Sequence, residues 1–362
     1  MALTISATDT ELPKPLNAVF QQTLLRNAQV RAPYFAGTVP GELVKHRGSN
    51  VVMWRRIENL AAATSALSEL TGNASYMQGR SSAALSQTAV TATAAKYGNF
   101  VILNEEVDFF NFPGQFDKLM QVIGINAGQS LNRLQRDIGE DNATLLNSGG
   151  AASDGAISGI ITLDQIKLAV NTLDKNSAIT FTPMTVGNTS IGTQPILPAY
   201  WGLCHPDVAV DVTGLTGFKS VETYAGQTAT VMGEFGTITV AGKAVRFISS
   251  EDAGVDAGSG ASGAASNDRN GTSDNSDLYT TLVYGQDALA SVGLGEQYTD
   301  GVFRAGDDLE PVDVIAKAPS GTGTSDPFNE ISTLAWKAWH TGAVLNANWV
   351  RGLRSGATLL TN

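Results

Sequence analysis

Cys204 and His205 are the one adjacent pair of side chains in this sequence that could supply a nucleophile and a base. The chain contains a single cysteine and three histidines, and the other two histidines, His46 and His340, are distant in sequence. A reactive thiol and its base must meet side to side in space, which is not the usual arrangement of sequence neighbours. We therefore favour a buried thiol beside a residue that starts a helix, and we predict no catalytic residue.

Two other groups of residues have the composition of a binding motif without its setting. Gly258, Gly260 and Gly263 spell G-x-G-x-x-G, yet no helix is predicted after them to receive a phosphate. A set of polar side chains could surround a calcium ion, but it misses the spacing of an EF-hand loop: Asp268, Asn270, Asp274 and Asp277. The sequence therefore predicts no cofactor-binding and no metal-binding residue.

Two clusters of charged residues lie on predicted strands. Alternation along a strand places Glu105, Glu106 and Asp108 on two faces, so a solvated edge is favoured over an acid and base pair. Arg55 and Arg56 are interpreted as part of a solvated face or, in an assembly, as partners for the carboxylates of a neighbouring copy. Neither cluster predicts chemistry within one chain.

The composition is that of a globular chain with few charged side chains. It has 362 residues, of which 43% are apolar and 16% are charged, and its net charge is −11. Acidic residues are concentrated between Glu251 and Asp313, whereas the N-terminal part is more basic. Because affinity for phosphate depends on Lys and Arg, tight coating of nucleic acid is not expected. The asymmetry favours head-to-tail association of copies or a solvated acidic loop.

Neither a secretory signal nor a membrane helix is predicted. The N-terminus lacks a basic region followed by an apolar run and a cleavage site, and no apolar stretch is long enough to span a bilayer. The single cysteine excludes an intramolecular disulfide and fits a reducing compartment. We expect a chain that acts without a membrane.

The N-terminal half is predicted to contain extended elements around one long helix. A short amphipathic helix is predicted over Asn17 to Ala28. A strand that follows Gly48 and a return strand over Tyr97 to Phe110 predict a long projecting hairpin. Apolar spacings of three, four and seven then predict a helix over Phe116 to Asn147, roughly 45 Å long. A second helix is predicted over Thr162 to Leu173.

The C-terminal half is predicted to be α+β. A strand through Trp201 and Leu203 leads into a helix that starts at His205-Pro206-Asp207, since proline and an acid are favoured at that position. Three strands are predicted downstream: Gly236 to Val240, Lys243 to Ser249 and Leu278 to Tyr284. The acidic, Gly/Ser-rich run 250–277 is predicted to be a surface loop. Three tryptophans near the end predict a buried terminal sheet.

This order of elements resembles the HK97-like capsid fold of tailed-bacteriophage major capsid proteins. In that fold an N-arm, an extended loop, a spine helix in a peripheral domain and an axial domain follow one another. Three local strings resemble the N-four-like podophage capsid family: GTVPGELVKHRGSNVVMWRRI, AYWGLCHPDVAVDV and WKAWHTGAVLNANWVRGL. The fold class that the resemblance implies is α+β.

The resemblance implies a division of the chain into five parts. They are an N-terminal arm (1–47), an extended loop (48–110), a peripheral domain with the spine helix (111–157), an axial domain (158–310) and a terminal return to the peripheral domain (311–362). The acidic loop 250–277 is an insertion in the axial domain. No Lys and Asn pair for covalent cross-linking is identified.

The resemblance also implies a function without catalysis. A major capsid protein self-assembles as hexamers and pentamers into an icosahedral phage head that encloses double-stranded DNA without sequence-specific binding. The short segment before the hairpin implies a separate scaffolding protein, and a portal and a decoration protein are further expected partners. The expected location is the virion, after assembly in the host cytoplasm. An encapsulin-type compartment shell is the nearest alternative, and a cytosolic α+β enzyme or a surface-layer protein is more remote.

Overall fold

The computed structural model describes residues 32–41, 50–58, 60, 62, 64, 85–104, 115–182, 197–224, 233–262, 275–292, 312–317, 328 and 330–358. These residues form a mixed α+β fold. The helices are α1 Gln115–Asp141, α2 Leu163–Lys175, α3 Pro206–Thr213 and α4 Val221–Tyr224. The strands are β1 Val39–Pro40, β2 Val51–Ile57, β3 Gln87–Thr93, β4 Ala95–Asn104, β5 Thr144–Asn147, β6 Ala199–Cys204, β7 Phe218–Ser220, β8 Glu234–Val240, β9 Lys243–Ser249, β10 Val255–Asp256, β11 Leu278–Tyr284, β12 Leu289–Val292, β13 Val312–Lys317, β14 Ile331–Val344 and β15 Val350–Ser355.

The large sheet has eight described strands in the order β5-β15-β11-β6-β9-β8-β7, with β10 beside β11. Alternation along β6 places Tyr200 and Cys204 on one face and Leu203 on the other. Helices α2 and α3 pack on the first face, while Tyr34 and Leu289 pack on the second. All seven residues of β11 are buried, as expected for a strand that is covered on both faces.

The small sheet is organised around β14, a strand of 14 residues. It pairs with β4 and β13 along one part of its length and with β12 along another. Helix α1 packs on one face of this sheet through apolar residues at helical spacing: Met120, Ile123, Ala127 and Leu131. Leu334 and Trp336 of β14 face these side chains, so the sheet and the helix form two layers around one core.

Strands β2 and β3 pair as an antiparallel ribbon. Val52 and Trp54 form its buried face and pack against Val292 and Ala343 of the small sheet. The Trp54 indole donates to the Pro40 carbonyl at 3.4 Å, and Arg56 Nη1 donates to the Leu345 carbonyl at 2.6 Å. Packing and hydrogen bonds thus attach the base of the ribbon to the body.

Several predicted elements are confirmed. Helix α2 begins after Thr162, whose side chain forms a capping box with Gln165. Helix α3 begins at Pro206 with His205 as its N-cap, as the sequence predicts. Strands β9 and β11 have the predicted bounds, and β6 and β8 cover the strands expected there.

The predicted end of the long helix is wrong. Helix α1 ends at Asp141, so its 27 residues span about 40 Å. Thr144–Asn147 forms β5, which pairs in parallel with Arg351–Arg354 of β15. Leu145 continues the helical spacing of apolar residues, but a partner strand about 200 residues later in the chain determines its conformation.

The predicted partner of the outgoing hairpin strand is also wrong. Strand β2 pairs with Gln87–Thr93, and the expected return strand, β4, pairs with β14 instead. The sequence of β3 is rich in Ala and Thr and contains one larger aliphatic residue, Val90, so the sequence alone predicts it as part of the hairpin tip. Its β-branched residues and its pairing to β2 explain why it is a strand.

Two expectations about burial need correction. The described ends of the predicted surface loop 250–277 are packed, since Asp252, Ala253 and Asp277 are buried and Val255–Asp256 pairs with β11. Trp336 is buried, but Trp339 is 41% exposed, because residues three apart on a strand point to opposite faces.

Several sequence predictions lie outside the described residues. They are the helix over Asn17 to Ala28, His46, the cluster Glu105, Glu106 and Asp108, Gly263, and the calcium candidates Asp268, Asn270 and Asp274. The five-part division of the chain stays a prediction. The C-terminal part 311–362 supplies β13 and β14 to the small sheet and β15 to the large sheet.

Candidate assembly surfaces

The Cys204 thiol is fully buried at the end of β6. Its Sγ atom lies 3.7 Å from the Ile248 carbonyl oxygen. Burial raises the pKa of the thiol well above its usual range, so the group stays protonated at neutral pH. A nucleophilic cysteine needs the opposite environment, one that stabilises the thiolate. The structure therefore gives Cys204 a packing role.

His205 holds the start of helix α3. Its Nδ1 atom accepts from the Asp207 backbone N–H at 3.3 Å, and the Tyr279 hydroxyl donates to Asp207 Oδ2 at 3.0 Å. The first contact satisfies a backbone donor at the helix N-terminus, as a cap does, and the second fixes the Asp207 carboxylate. The imidazole and the neighbouring thiol thus make separate contacts, each with a structural role.

The remaining sequence candidates fall in separate places. Arg56 is paired within the chain, to Glu58 and to the Leu345 carbonyl, whereas Arg55 is exposed on the outer face of the ribbon. Gly258 donates its backbone N–H to Asp277 Oδ1 at 2.8 Å, and Gly260 packs against Ser276. The structure does not bring these candidates together into one site.

Metal and membrane sites can be assessed for the described residues only. Within them, no three His, Cys, Asp or Glu side chains are grouped so that they could hold a metal ion. Among the same residues, no helix is both long and apolar enough to span a bilayer.

A cavity of about 620 Å³ lies between helix α2 and the turn that joins β8 to β9. Its charged side chains pair with each other: Lys167 with Asp164 at 3.0 Å, and Lys243 with Asp174. Leu163, Leu168 and Val240 are among its apolar lining residues. The paired charges leave this cavity without the convergent polar groups that a small-molecule site usually has.

The outer face of the small sheet is the first surface with unusual chemistry. Phe100 is 63% exposed and Ile102 is 56% exposed on β4, and Trp339 is exposed further along the same face, on β14 opposite Lys96. Cross-strand pairing of Phe100 with Ala335 and of Ile102 with Thr333 places all of these side chains on the face opposite helix α1. Large apolar side chains grouped on an exposed face are typical of an interaction surface.

The outer face of the β2–β3 ribbon is the second such surface. Val51, Met53 and Ile57 alternate with the buried Val52 and Trp54, so they point away from the body. Met53 is 55% exposed and Ile57 is 60% exposed, and Arg55 lies on the same face. The outer face of the ribbon is therefore a row of apolar side chains interrupted by the guanidinium group of Arg55.

Sequence reasoning did not identify these two surfaces. It interpreted Tyr97 to Phe110 as a hairpin strand, whereas β4 has apolar residues on both of its faces. Tyr97 and Val101 pack on the core formed with α1, and Phe100 and Ile102 point outward. The signal available in the sequence was the run of apolar residues on both faces of β4, although the sequence does not show which face α1 covers.

No protein-family model and no curated protein matches the chain. Solved structures do match it along nearly its whole length. A chain of the capsid of Ralstonia phage GP4 has a TM-score of 0.56 at 10% identity and covers 91% of this chain and 89% of its own. A chain of the head structure of Helicobacter pylori bacteriophage KHP40 has a TM-score of 0.53 at 12% identity and covers 99% and 95%.

A third similar chain comes from the capsid asymmetric unit of cyanophage Pam1. Its TM-score is 0.52 at 11% identity, and the match covers 91% of this chain and 93% of that one. Identities this low carry information about the fold alone. The fold of this chain is thus one that is found in bacteriophage capsids.

Proposed function

We propose that this chain is the major capsid protein of a tailed bacteriophage, with an HK97-like fold and no enzymatic activity. One observation carries the proposal: chains from three phage capsids share this fold over at least 91% of its length. The likeness of three sequence strings to N-four-like podophage capsid proteins supports membership of that group.

The proposed domain assignment follows the order of the elements. Helix α1 is the spine helix of the peripheral domain, and the small sheet covers one of its sides. The large sheet with α2 and α3 is the axial domain, and the β2–β3 ribbon is the described part of the extended loop. Strands β5 and β15 connect the two domains, because both join the large sheet although the elements that precede them, α1 and β14, belong to the small-sheet core.

The exposed apolar faces support assembly. A row such as Val51, Met53 and Ile57 cannot be buried within the ribbon, and Phe100 and Ile102 are not buried by the small sheet. In the proposed shell, the ribbon of one copy covers the outer sheet face of the next. The two faces belong to different parts of the chain, so the contact is head-to-tail, and such contacts form a ring when the rotation from one copy to the next closes after a whole number of copies.

The proposed shell consists of hexamers and pentamers around double-stranded DNA, in the virion of a phage assembled in the host cytoplasm. The net charge of −11 favours enclosure of DNA without tight or sequence-specific binding. A separate scaffolding protein, a portal and a decoration protein are the further proposed partners. An encapsulin-type shell would share the fold and differ in what it encloses.

The test is the mass and shape of the purified full chain, measured by electron microscopy and light scattering at low and raised salt. We expect closed shells or rings of five and six copies. Double-stranded DNA in native particles would support a capsid, whereas an enzyme cargo would support the compartment alternative. A monodisperse monomer under all conditions would contradict the proposal.

A further inference from the structure

The C-terminal half of α1 is joined to the turn between β9 and β10 by a hydrogen-bonded cluster around Asp252. Asn132 Nδ2 donates to Asp252 Oδ2 at 2.9 Å, and Arg133 Nε donates to Asp252 Oδ1 at 2.9 Å. Arg136 Nη1 donates to the Asp252 backbone carbonyl at 2.6 Å. Because α1 belongs to the core of the small sheet and the turn to the large sheet, this cluster forms a joint between the layers that contain the two sheets.

Glu140 occupies the last turn of α1 at this joint. Its Oε1 atom accepts the Gly254 backbone N–H at 3.2 Å. The carboxyl group lies so close to Gly254 that a Cβ at that position would be 2.2 Å from Oε2. Glycine therefore permits the approach, and the side chain of Glu140 is only 17% exposed.

The surroundings of Glu140 compensate poorly for a negative charge. Arg136 Nε is 4.0 Å from Glu140 Oε2, but Arg136 directs its donors to Asp137 and to the Asp252 carbonyl at 2.6 to 2.9 Å. Asp137 on α1, Asp256 on β10 and the buried Tyr34 of the N-terminal segment also face Glu140. Asp137 is paired with Arg136 and Asp256 with Arg354, so these pairs offset part of the repulsion of a carboxylate but supply no donor to Glu140 itself.

We propose that Glu140 is a proton-sensitive contact in the joint between the long helix and the large sheet. The neutral carboxyl is tolerated in the buried position against Gly254, whereas the carboxylate loses its hydration there and favours an opening of the joint to water, although its hydrogen bond to the Gly254 N–H is itself stronger. The same group thus makes the relative position of the two layers depend on pH, in a free subunit and in a shell alike.

Burial raises the pKa of Glu140 from 4.5 to about 7, and the Arg136 charge and the Gly254 N–H oppose the shift only in part. We call the joint closed when Glu140 contacts Gly254 and open when this contact is lost. A group whose pKa is higher in the closed joint than in the open joint stabilises the closed joint fully below the pKa of the open joint. This contribution is lost as the pH rises through the pKa of the closed state. Each pH unit in this window changes the closed-to-open ratio by up to about tenfold.

Hydrogen exchange of the full chain at pH 5 and pH 8, corrected for intrinsic exchange rates, tests the proposal. In the wild-type protein we expect the protection of peptides covering 137–143 and 250–256 to fall by more than about tenfold between these pH values. Amides of β9 serve as the internal reference. Glu140→Gln keeps an acceptor for the Gly254 N–H and cannot ionise, so its protection should be the same at both pH values.

Two further variants make the test specific. Asp141→Asn removes an exposed carboxylate one position along the chain and should keep the wild-type dependence on pH. Gly254→Ala displaces the Glu140 carboxyl group and should lower protection at both pH values. This variant tests the joint even if Glu140→Gln does not fold. An equal pH dependence in the wild type and in Glu140→Gln, or a wild-type dependence in Gly254→Ala, would overturn the proposal.

Discussion

The large sheet and the small sheet of this molecule differ in how far other elements of the chain cover their two faces. The large sheet is covered on both faces, and residues such as Phe247 and Leu282 are fully buried in the two cores. The small sheet is covered by α1 on one face and exposes Phe100 and Ile102 on the other. The first region is complete as a single chain, whereas the second has a surface that association would complete. This difference separates the residues that stabilise the fold from those that we expect to drive assembly.

The largest expected effect comes from a matched pair of substitutions in the two regions. Phe247→Ala removes a fully buried ring from the large sheet and should lower the free energy of unfolding by about 3–5 kcal/mol. Phe100→Ala makes the same change on the exposed face of the small sheet and should lower the free energy of unfolding by less than about 1 kcal/mol. Urea denaturation of unassembled subunits measures both values. Equal losses would mean that the two regions do not differ as described.

Charges on the outer face of the small sheet should prevent assembly. Phe100→Asp together with Ile102→Asp places two charges on the outer face, and these charges would have to be desolvated in a contact between copies. We expect the yield of assembled particles to fall at least about tenfold, while the unfolding transition of the subunit changes little. Val210→Asp, at another exposed apolar position on α3, is the control. Light scattering after size separation measures the yield, and normal assembly of the double variant would contradict the role of this face.

The smallest effect is a dependence of stability on pH that arises in the core of the small sheet. His340 is buried there, 5.5 Å from the Phe35 ring, and its Nδ1 atom is 2.7 Å from the Val292 carbonyl oxygen. Burial lowers the pKa of His340, so the folded state binds a proton less readily than the unfolded state. Stability contributed by the neutral ring is therefore present above the unfolded pKa and is lost as the pH falls below about 6.5.

His340→Asn keeps a donor for the Val292 carbonyl and removes this titration. The difference in melting temperature between wild type and variant should thus become more favourable to the variant as the pH falls from 7.5 to 5.5. Thermal unfolding at a series of pH values measures it. The contribution of Glu140 has the opposite sign and cancels in the comparison. A difference that does not change with pH would show that folding leaves the pKa of His340 unchanged, which would contradict the prediction.

The local parts of the fold were predictable from the sequence. Lys243–Ser249 and Leu278–Tyr284 are apolar runs that neighbouring turn residues delimit, and His205-Pro206-Asp207 has the chemistry of a helix start. Elements whose conformation depends on a distant partner were not predictable in the same way. Thr144–Asn147 is a strand because β15 lies beside it, and β4 is attached to β14 through residues more than 200 positions away.

The candidate surfaces were hidden for a related reason. Residue types and alternation identify apolar faces, but they do not say which face another element covers. Phe100 and Val101 are apolar neighbours on β4. Val101 is covered because α1 packs on its face of the sheet, and Phe100 is exposed because it lies on the opposite face. The joint at Glu140 was missed because its environment comes from Gly254 and Asp256, more than 100 residues later in the chain.

The exposed faces of the ribbon and of the small sheet should become buried when copies of this chain assemble. A cryo-electron microscopy reconstruction of particles assembled from the full chain would show whether they do. We predict that Met53 and Ile57 of one copy lie in contact with a neighbouring copy, and that Phe100 and Ile102 are covered in the same shell. Closed particles in which all four side chains remain exposed to solvent would contradict the account.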